Sequence, residues 1–181
     1  MNMFIKGAEM PKIIENVKDQ LLREAERQIK EVGYAKTTIR SVAGACGLGV
    51  GTVYNYFPSK DMLIASFMLE DWRRALMKMR GGETKDPRDV LLAIYEAISS
   101  YTQTHKKLFS DPEAAKSFGA SHTDYHKLLR RQIADIVLPV LSKTGDNNDF
   151  LAEFVAESLL TFTVEGRGFD QIYPILESII K

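Results

Sequence analysis

A single cysteine, Cys46, stands among 181 residues, so the chain cannot form an internal disulfide. No apolar run approaches the roughly 18 residues that a membrane-spanning helix needs. Residues 1–12, MNMFIKGAEMPK, contain no apolar core of signal-peptide length, and with the lone cysteine this gives the expectation of a cytoplasmic protein without a membrane partner. Catalytic signatures are absent as well. There is no nucleophile elbow, no G-x-x-x-x-G-K phosphate loop and no HExxH, and Gly166-Arg167-Gly168 reads as a turn between helices. His122 and His126 have the i, i+4 spacing of metal ligands but no His-rich or Cys-rich surroundings, so neither a metal nor another cofactor is expected. An enzyme is not expected. Net charge is also lacking, because 24 Lys plus Arg balance 24 Asp plus Glu.

What the chain does have is apolar material, 45% of its residues, enough for one or two compact domains. The periodicity is helical throughout and predicts an all-α fold of about nine helices. Residues 1–11 read as an arm, and a first helix follows over about 11–32, with Ile14, Val17, Leu21, Ala25 and Gln28/Ile29 on one side and Gly33 at its end. A helix from Ser59 to about Arg80 carries Leu63, Phe67, Trp72, Leu76 and Met79 and is stopped by Gly81-Gly82. Further helices are expected over Pro87 to about Leu108, Asp111-Pro112 to about Phe118, and Ser121 to about Ser142 with Pro139 bending its last turn. After a polar loop at Gly145–Asn148, with Asp149 as a cap, the last two run from Asp149 to about Glu165 and from Asp170 to Ile180.

Function speaks most clearly between Ala35 and Lys60, AKTTIRSVAGACGLGVGTVYNYFPSK. Thr37 and Thr38 offer capping hydroxyls to a short helix ending near Cys46. Its small residues Ser41, Ala43, Gly44 and Ala45 permit a close crossing, and the helical cost of Gly44, about 1 kcal/mol against alanine, suggests a packing reason. Gly47 falls where a helix end favours positive φ, Leu48 is the apolar plug, and Gly49 ends the loop. A second short helix runs from about Val50 to Tyr56, halted by Phe57-Pro58, and Ser59 caps the next. Two short helices joined by such a turn form a helix-turn-helix, spanning about 38–56, whose second helix enters a DNA major groove.

Charge agrees with that reading. From Lys36 to Lys60 there are three bases (Lys36, Arg40, Lys60) and no acid. Residues 1–60 hold nine bases and six acids and the remainder 15 and 18, so the front is net +3 and the rear net −3. Thr38 and Arg40 are placed to meet a phosphate or a base edge, Arg40 with the fork that suits guanine, although a solvated arginine is the plainer alternative. Val50, Gly51, Thr52 and Asn55 would face the groove. Asn55 could pair with adenine or simply face water. Tyr54 and Tyr56 can pack a ring while a hydroxyl reaches a phosphate oxygen. Lys60, in the first turn of the next helix, adds an ammonium for another phosphate. Val42, Ala43, Leu48, Val53 and Phe57 would form the core that fixes the two helices.

The string TTIRSVAGACGLGVGTVYNYFPSKDML resembles the N-terminal domain of the TetR family of bacterial repressors, over about Ile13 to Leu69 without gaps. The Thr-x-x-x-Val-Ala start, the Gly-Leu turn and above all Gly-Thr-Val-Tyr-x-Tyr-Phe-Pro-Ser-Lys carry it. Gly49 and Val50 stand where the family often has a Ser or Thr cap and a polar or basic residue, so a different operator preference is expected. The resemblance implies a DNA-binding domain over 1–60 and an effector-binding and dimerisation domain over 61–181. It makes Tyr54 the stronger phosphate candidate of the two tyrosines and implies a repressor released from its operator by a small molecule.

For the second domain two surfaces come into question. Trp72, Tyr95, Tyr101, His105, Phe109, Phe118, Tyr125 and His126 could line an effector pocket, or each could be ordinary core; with no charged group standing out, an apolar or aromatic effector is favoured. The last two helices carry stripes too wide for one subunit to cover, with Phe150, Phe154, Leu159 and Phe162 on the first and Ile172, Ile175, Leu176 and Ile179 on the second. A second copy packed in an isologous four-helix interface would cover them, as TetR-like dimers do, the alternative being a core within one subunit. A homodimer would present two heads to a near-palindromic double-stranded DNA operator. The competing function is an all-α dimeric interaction module whose helix-turn-helix does not read DNA.

Overall fold

The computed structural model describes residues 16–82, 86–141 and 149–180, without the side chains of 119–123. The expected arm at 1–11, the first helix before residue 16, the loop at Gly145–Asn148 and the side chain of His122 lie outside the described residues. Among those described there are nine helices and no strands: α1 (Val17–Val32), α2 (Ile39–Ala45), α3 (Val50–Tyr56), α4 (Lys60–Arg80), α5 (Pro87–Thr104), α6 (Lys106–Phe109), α7 (Pro112–Leu141), α8 (Asp149–Val164) and α9 (Phe169–Ile180). The all-α expectation holds. No helix among the described residues is long and apolar enough to cross a membrane.

Two apolar clusters organise these helices. The first gathers Leu21, Leu22, Ala25 and Ile29 of α1, Val42 and Ala43 of α2, Val53 of α3 and Phe57 beneath the front of α4, where Leu63, Ile64 and Phe67 face it. The second begins one turn further along α4, at Trp72, and takes in Leu91, Ile94 and Ile98 of α5, Ile133 and Val137 of α7, Val155 and Leu159 of α8, and Ile172 and Leu176 of α9. Helix α5 is central to this bundle, packing on α4, α7, α8 and α9. One helix, α4, therefore serves both clusters without a break. It is not the only link: Leu108 of α6 and Ala114 of α7 are buried in the first cluster, and Phe118 packs against it.

Three helical boundaries depart from the sequence expectation. The helix expected from Pro87 to Leu108 stops at Thr104, because His105 leaves helical geometry at φ −101° and ψ 12°. The short α6 that follows turns Leu108 towards the head, where it is 2% exposed. The two helices expected between Asp111 and Ser142 are a single 30-residue α7. Gly119 is tolerated inside it, since one glycine costs about 1 kcal/mol against alanine and long flanking segments absorb that. Pro139 lies inside α7 near its end, and Asp149 is the first residue of α8 instead of its cap.

Candidate nucleic-acid interface

The front cluster supports α2 and α3, and local chemistry fixes how they meet. Thr38 is the N-cap of α2: its hydroxyl accepts from the Ser41 amide at 3.0 Å, and the Thr38 amide donates to Ser41 Oγ at 3.0 Å, a reciprocal capping box. The Ser41 hydroxyl also reaches Gln28 Oε1 at 2.6 Å, and Gln28 Nε2 donates to Glu24 at 2.7 Å, so the start of α2 is tied to the buried Gln28 and half-buried Glu24 of α1. Thr37 is buried and donates its hydroxyl to the Gly33 carbonyl.

The turn between α2 and α3 is a Schellman closure. The Leu48 amide donates to Ala43 O at 2.9 Å and the Gly47 amide to Gly44 O at 3.1 Å, with Gly47 at φ +68°. Gly44 behaves otherwise than its sequence position suggests. A Cβ built there meets nothing within 4 Å, so no close crossing requires it.

Helix α3 buries Val53 completely, with Val50 and Leu48 half-covered beside it. Gly51, Tyr54 and Asn55, spaced three and four residues apart, form the opposite, exposed face. Tyr54 is 51% and Tyr56 46% exposed, Thr52 is half-buried, and Arg40 projects from the first turn of α2 into solvent. The structure thus puts Thr38, Arg40, Gly51, Tyr54, Asn55 and Tyr56 at the surface of the head and sets Val50 and Thr52 at its edge. Lys60 is placed differently from a free surface lysine. Its ammonium donates to the Tyr34 carbonyl at 3.0 Å and stands 3.5 Å from the centre of the Tyr34 ring. Tyr34, in the link between α1 and α2, went unnoticed in the sequence; its only signal there is an aromatic ring just after the Gly33 helix stop.

Residues 21–67 match the family model described as bacterial regulatory proteins, tetR family. Over that stretch the chain is similar to the tetR family of bacterial regulatory proteins. Over 82 residues it is 37% identical to the HTH-type transcriptional regulator BetI of Stenotrophomonas maltophilia, covering 44% of this chain and 42% of that protein. Over 116 residues it is 30% identical to the HTH-type transcriptional repressor Rv1474c of Mycobacterium tuberculosis, 60% of this chain and 62% of the other. The chain therefore spans less than two thirds of the length of either relative. Among solved structures, the fatty acid degradation regulator FadR of Bacillus halodurans superimposes with a TM-score of 0.60 over 96% of both chains at 18% identity, a likeness of fold.

The eight aromatic and histidine residues expected around an effector do not form one lining. Trp72, Tyr101, His105 and Phe109 do meet, Trp72 edge-on to Tyr101 at 5.3 Å and His105 4.6 Å from Tyr101, while the Tyr125 hydroxyl lies 3.4 Å from that of Tyr101. Tyr95 stands apart against Phe169 of α9. Phe118 belongs to the head, edge-on to Tyr34 at 6.2 Å. His126 contacts the Glu157 carboxylate of α8 at 3.0 Å; burial raises the Glu157 pKa, but bonds from His126 and Thr161 outweigh this and hold it below the ordinary value. Beside Tyr101 a cleft of about 150 Å³ opens between α1, α4 and α5, bordered by Glu26, Asp71, Arg74, Lys78, Ser100 and Thr104. Its charged border contrasts with the apolar effector that the aromatic residues alone suggest.

The apolar stripes of the last two helices also divide. Phe150, Phe154 and Phe162 of α8 are 76%, 47% and 43% exposed, and Ile175 and Ile179 of α9 are 66% and 41% exposed. Leu159, Ile172 and Leu176, expected with them at an interface, are at most 5% exposed and belong to the core of this subunit. Helical periodicity explains the split. Residues 150, 154 and 162 repeat in steps of four on the outer face of α8, and Leu159 lies on the inner one with Val155 and Ala152.

Proposed function

We propose that the chain is a DNA-binding transcriptional regulator that acts as a homodimer, represses from a near-palindromic operator and is released by a small-molecule effector. The observation that carries this reading is the head itself: α3 is anchored by Val53, presents Gly51, Tyr54 and Asn55, and lies in a stretch with three bases and no acid. A helix so mounted can enter a major groove, with Tyr54 and Lys60 towards phosphates and Asn55 and Arg40 towards base edges. Names of relatives support repression: Rv1474c and AcnR of Corynebacterium efficiens are both called transcriptional repressors. Exposed Phe154, Phe162, Ile175 and Ile179 support pairing through α8 and α9. A pair would hold two heads about 34 to 36 Å apart, one turn of DNA. The cleft beside Tyr101 touches α1 and α4 together, so a small polar effector there would act on the seat of the head.

Selection of bound sites from random duplex DNA by the purified protein, repeated at two salt concentrations, tests this. A two-fold symmetric consensus with a steep salt slope is the expected result. A folded protein that enriches no sequence at low salt would leave the helix-turn-helix as a protein-interaction surface.

A further inference from the structure

We propose that Tyr34 is the positioning residue that presents the Lys60 ammonium to the DNA backbone, and that its hydroxyl ties this placement to α7; the inference rests on the DNA-binding function proposed above. An ammonium has three protons. At Lys60 one goes to the Tyr34 carbonyl and the face of the Tyr34 ring attracts the charge from 3.5 Å, which leaves donor capacity for an outside anion. A lysine on four flexible bonds would otherwise lose that freedom on meeting a phosphate. Here the loss has already occurred in the free protein.

Tyr34 can hold a charge in place because it is itself held. It is 4% exposed, with Phe118 of α7 packed edge-on against it. Its hydroxyl donates to Asp61 Oδ1 at 2.5 Å and lies within hydrogen-bond distance, 2.8 Å, of Ser117 Oγ of α7. Asp61 follows Lys60 in the chain and is the first acid after the acid-free stretch. Bonded to the phenol, its carboxylate is occupied. Without that proton it becomes a competitor for the Lys60 ammonium and a like charge facing an approaching phosphate. Both α7 contacts, Ser117 and Phe118, close on this one ring, so a shift of α7 moves the residue on which Lys60 rests.

The test is a mutant cycle on the full-length protein, read as affinity for a selected operator duplex and as its salt slope. Tyr34→Phe keeps the ring and carbonyl and removes only the hydroxyl; it should weaken binding about three- to tenfold, the range of one hydrogen bond. Asp61→Asn in the Tyr34→Phe background should restore affinity to within about twofold, because the uncovered charge is gone. Lys60→Ala should lower the salt slope by about 0.9, one phosphate contact, and in that background Tyr34→Phe and Ser117→Ala should each be silent. Lys60 methylene proton resonances supply a reading that needs no DNA: shifted upfield by the Tyr34 ring in the wild type, they should move towards random-coil positions in Tyr34→Phe and return with Asp61→Asn. A Tyr34→Phe loss as large in Lys60→Ala as in the wild type, or no loss at all, overturns the inference while leaving DNA binding intact. Failure of the wild type to bind any duplex overturns both.

Discussion

Two glycines three residues apart make opposite demands. Gly47 occupies φ +68°, where a Cβ is strained whatever the space around it, and closes the turn that sets α3. Gly47→Ala should therefore destabilise the protein by about 1 kcal/mol, read by thermal or urea unfolding. Gly44 sits in ordinary helical backbone with open space where a Cβ would go. Gly44→Ala should stabilise by about 0.5 to 1 kcal/mol, and a loss of stability would mean that a contact at this position has been overlooked. His105 makes a third demand. Its ring is 2% exposed between Phe67, Tyr101 and Phe109, and burial drives its pKa down to about 4; Glu26 opposes this, and Lys30 and Arg74 add to the depression. Asp71, 3.0 Å from its Nε2, is already paired with Arg74. The unfolded chain binds this proton near pH 6.5 and the folded chain only near 4, so between those values unfolding takes up a proton. Stability from this group is complete above about pH 6.5 and declines as the pH falls towards 4, by up to about 3 kcal/mol. Comparison of wild type and His105→Phe by urea unfolding from pH 7 to 4.5 checks this; parallel curves would exclude His105 as the source.

At the scale of elements, the head was legible because each signal there is local. Thr38, Gly47, Ser59 and the Phe57-Pro58 stop act within a turn of their own positions, and the structure puts α2, α3 and α4 where those residues place them. What the sequence did not reveal depends on distant partners. Nothing near Leu108 says that it enters the core of the head, nor near Lys60 that its ammonium lies on Tyr34, 26 positions away. Trp72, Tyr101, Phe118 and Tyr95 are alike as aromatic residues, yet they sort into a shared ring contact, the head and the α9 side only after α5 and α7 have packed. Lys107 belongs to the same class. From α6 its ammonium donates to the carbonyls of Lys30 at 2.5 Å and Glu31 at 3.4 Å, occupying oxygens at the end of α1 where the helix dipole is negative. Lys107→Met keeps the stem and removes the cap, and should cost about 1 kcal/mol with faster amide exchange confined to the last turn of α1. Unchanged exchange there would remove Lys107 as a tie between head and bundle.

For the whole molecule, the question is what covers the outer face of α8 and α9. Five large apolar side chains there, on two helices that pack together, are between 41% and 76% exposed and lie outside the two buried clusters. Such a grouping is larger than the scattered exposure ordinary for a monomer, and a self-complementary pairing about a two-fold axis would bury it twice over. Arginine at Phe154 or Ile175 adds a charge where this pairing would be dry, yet spares Leu159, Ile172 and Leu176, which hold the subunit together. Each variant should therefore melt near the wild-type temperature but elute as a monomer, with its mass fixed by light scattering. Two linked half-sites gain on the order of 10²-fold or more over one, so affinity for a full operator should drop by about that factor while binding to an isolated half-site stays unchanged. That separation is the decisive part. Loss of half-site binding as well would mean that the substitution damages the head through the bundle, and an arginine variant still dimeric at micromolar concentration would place the subunit contact on another face.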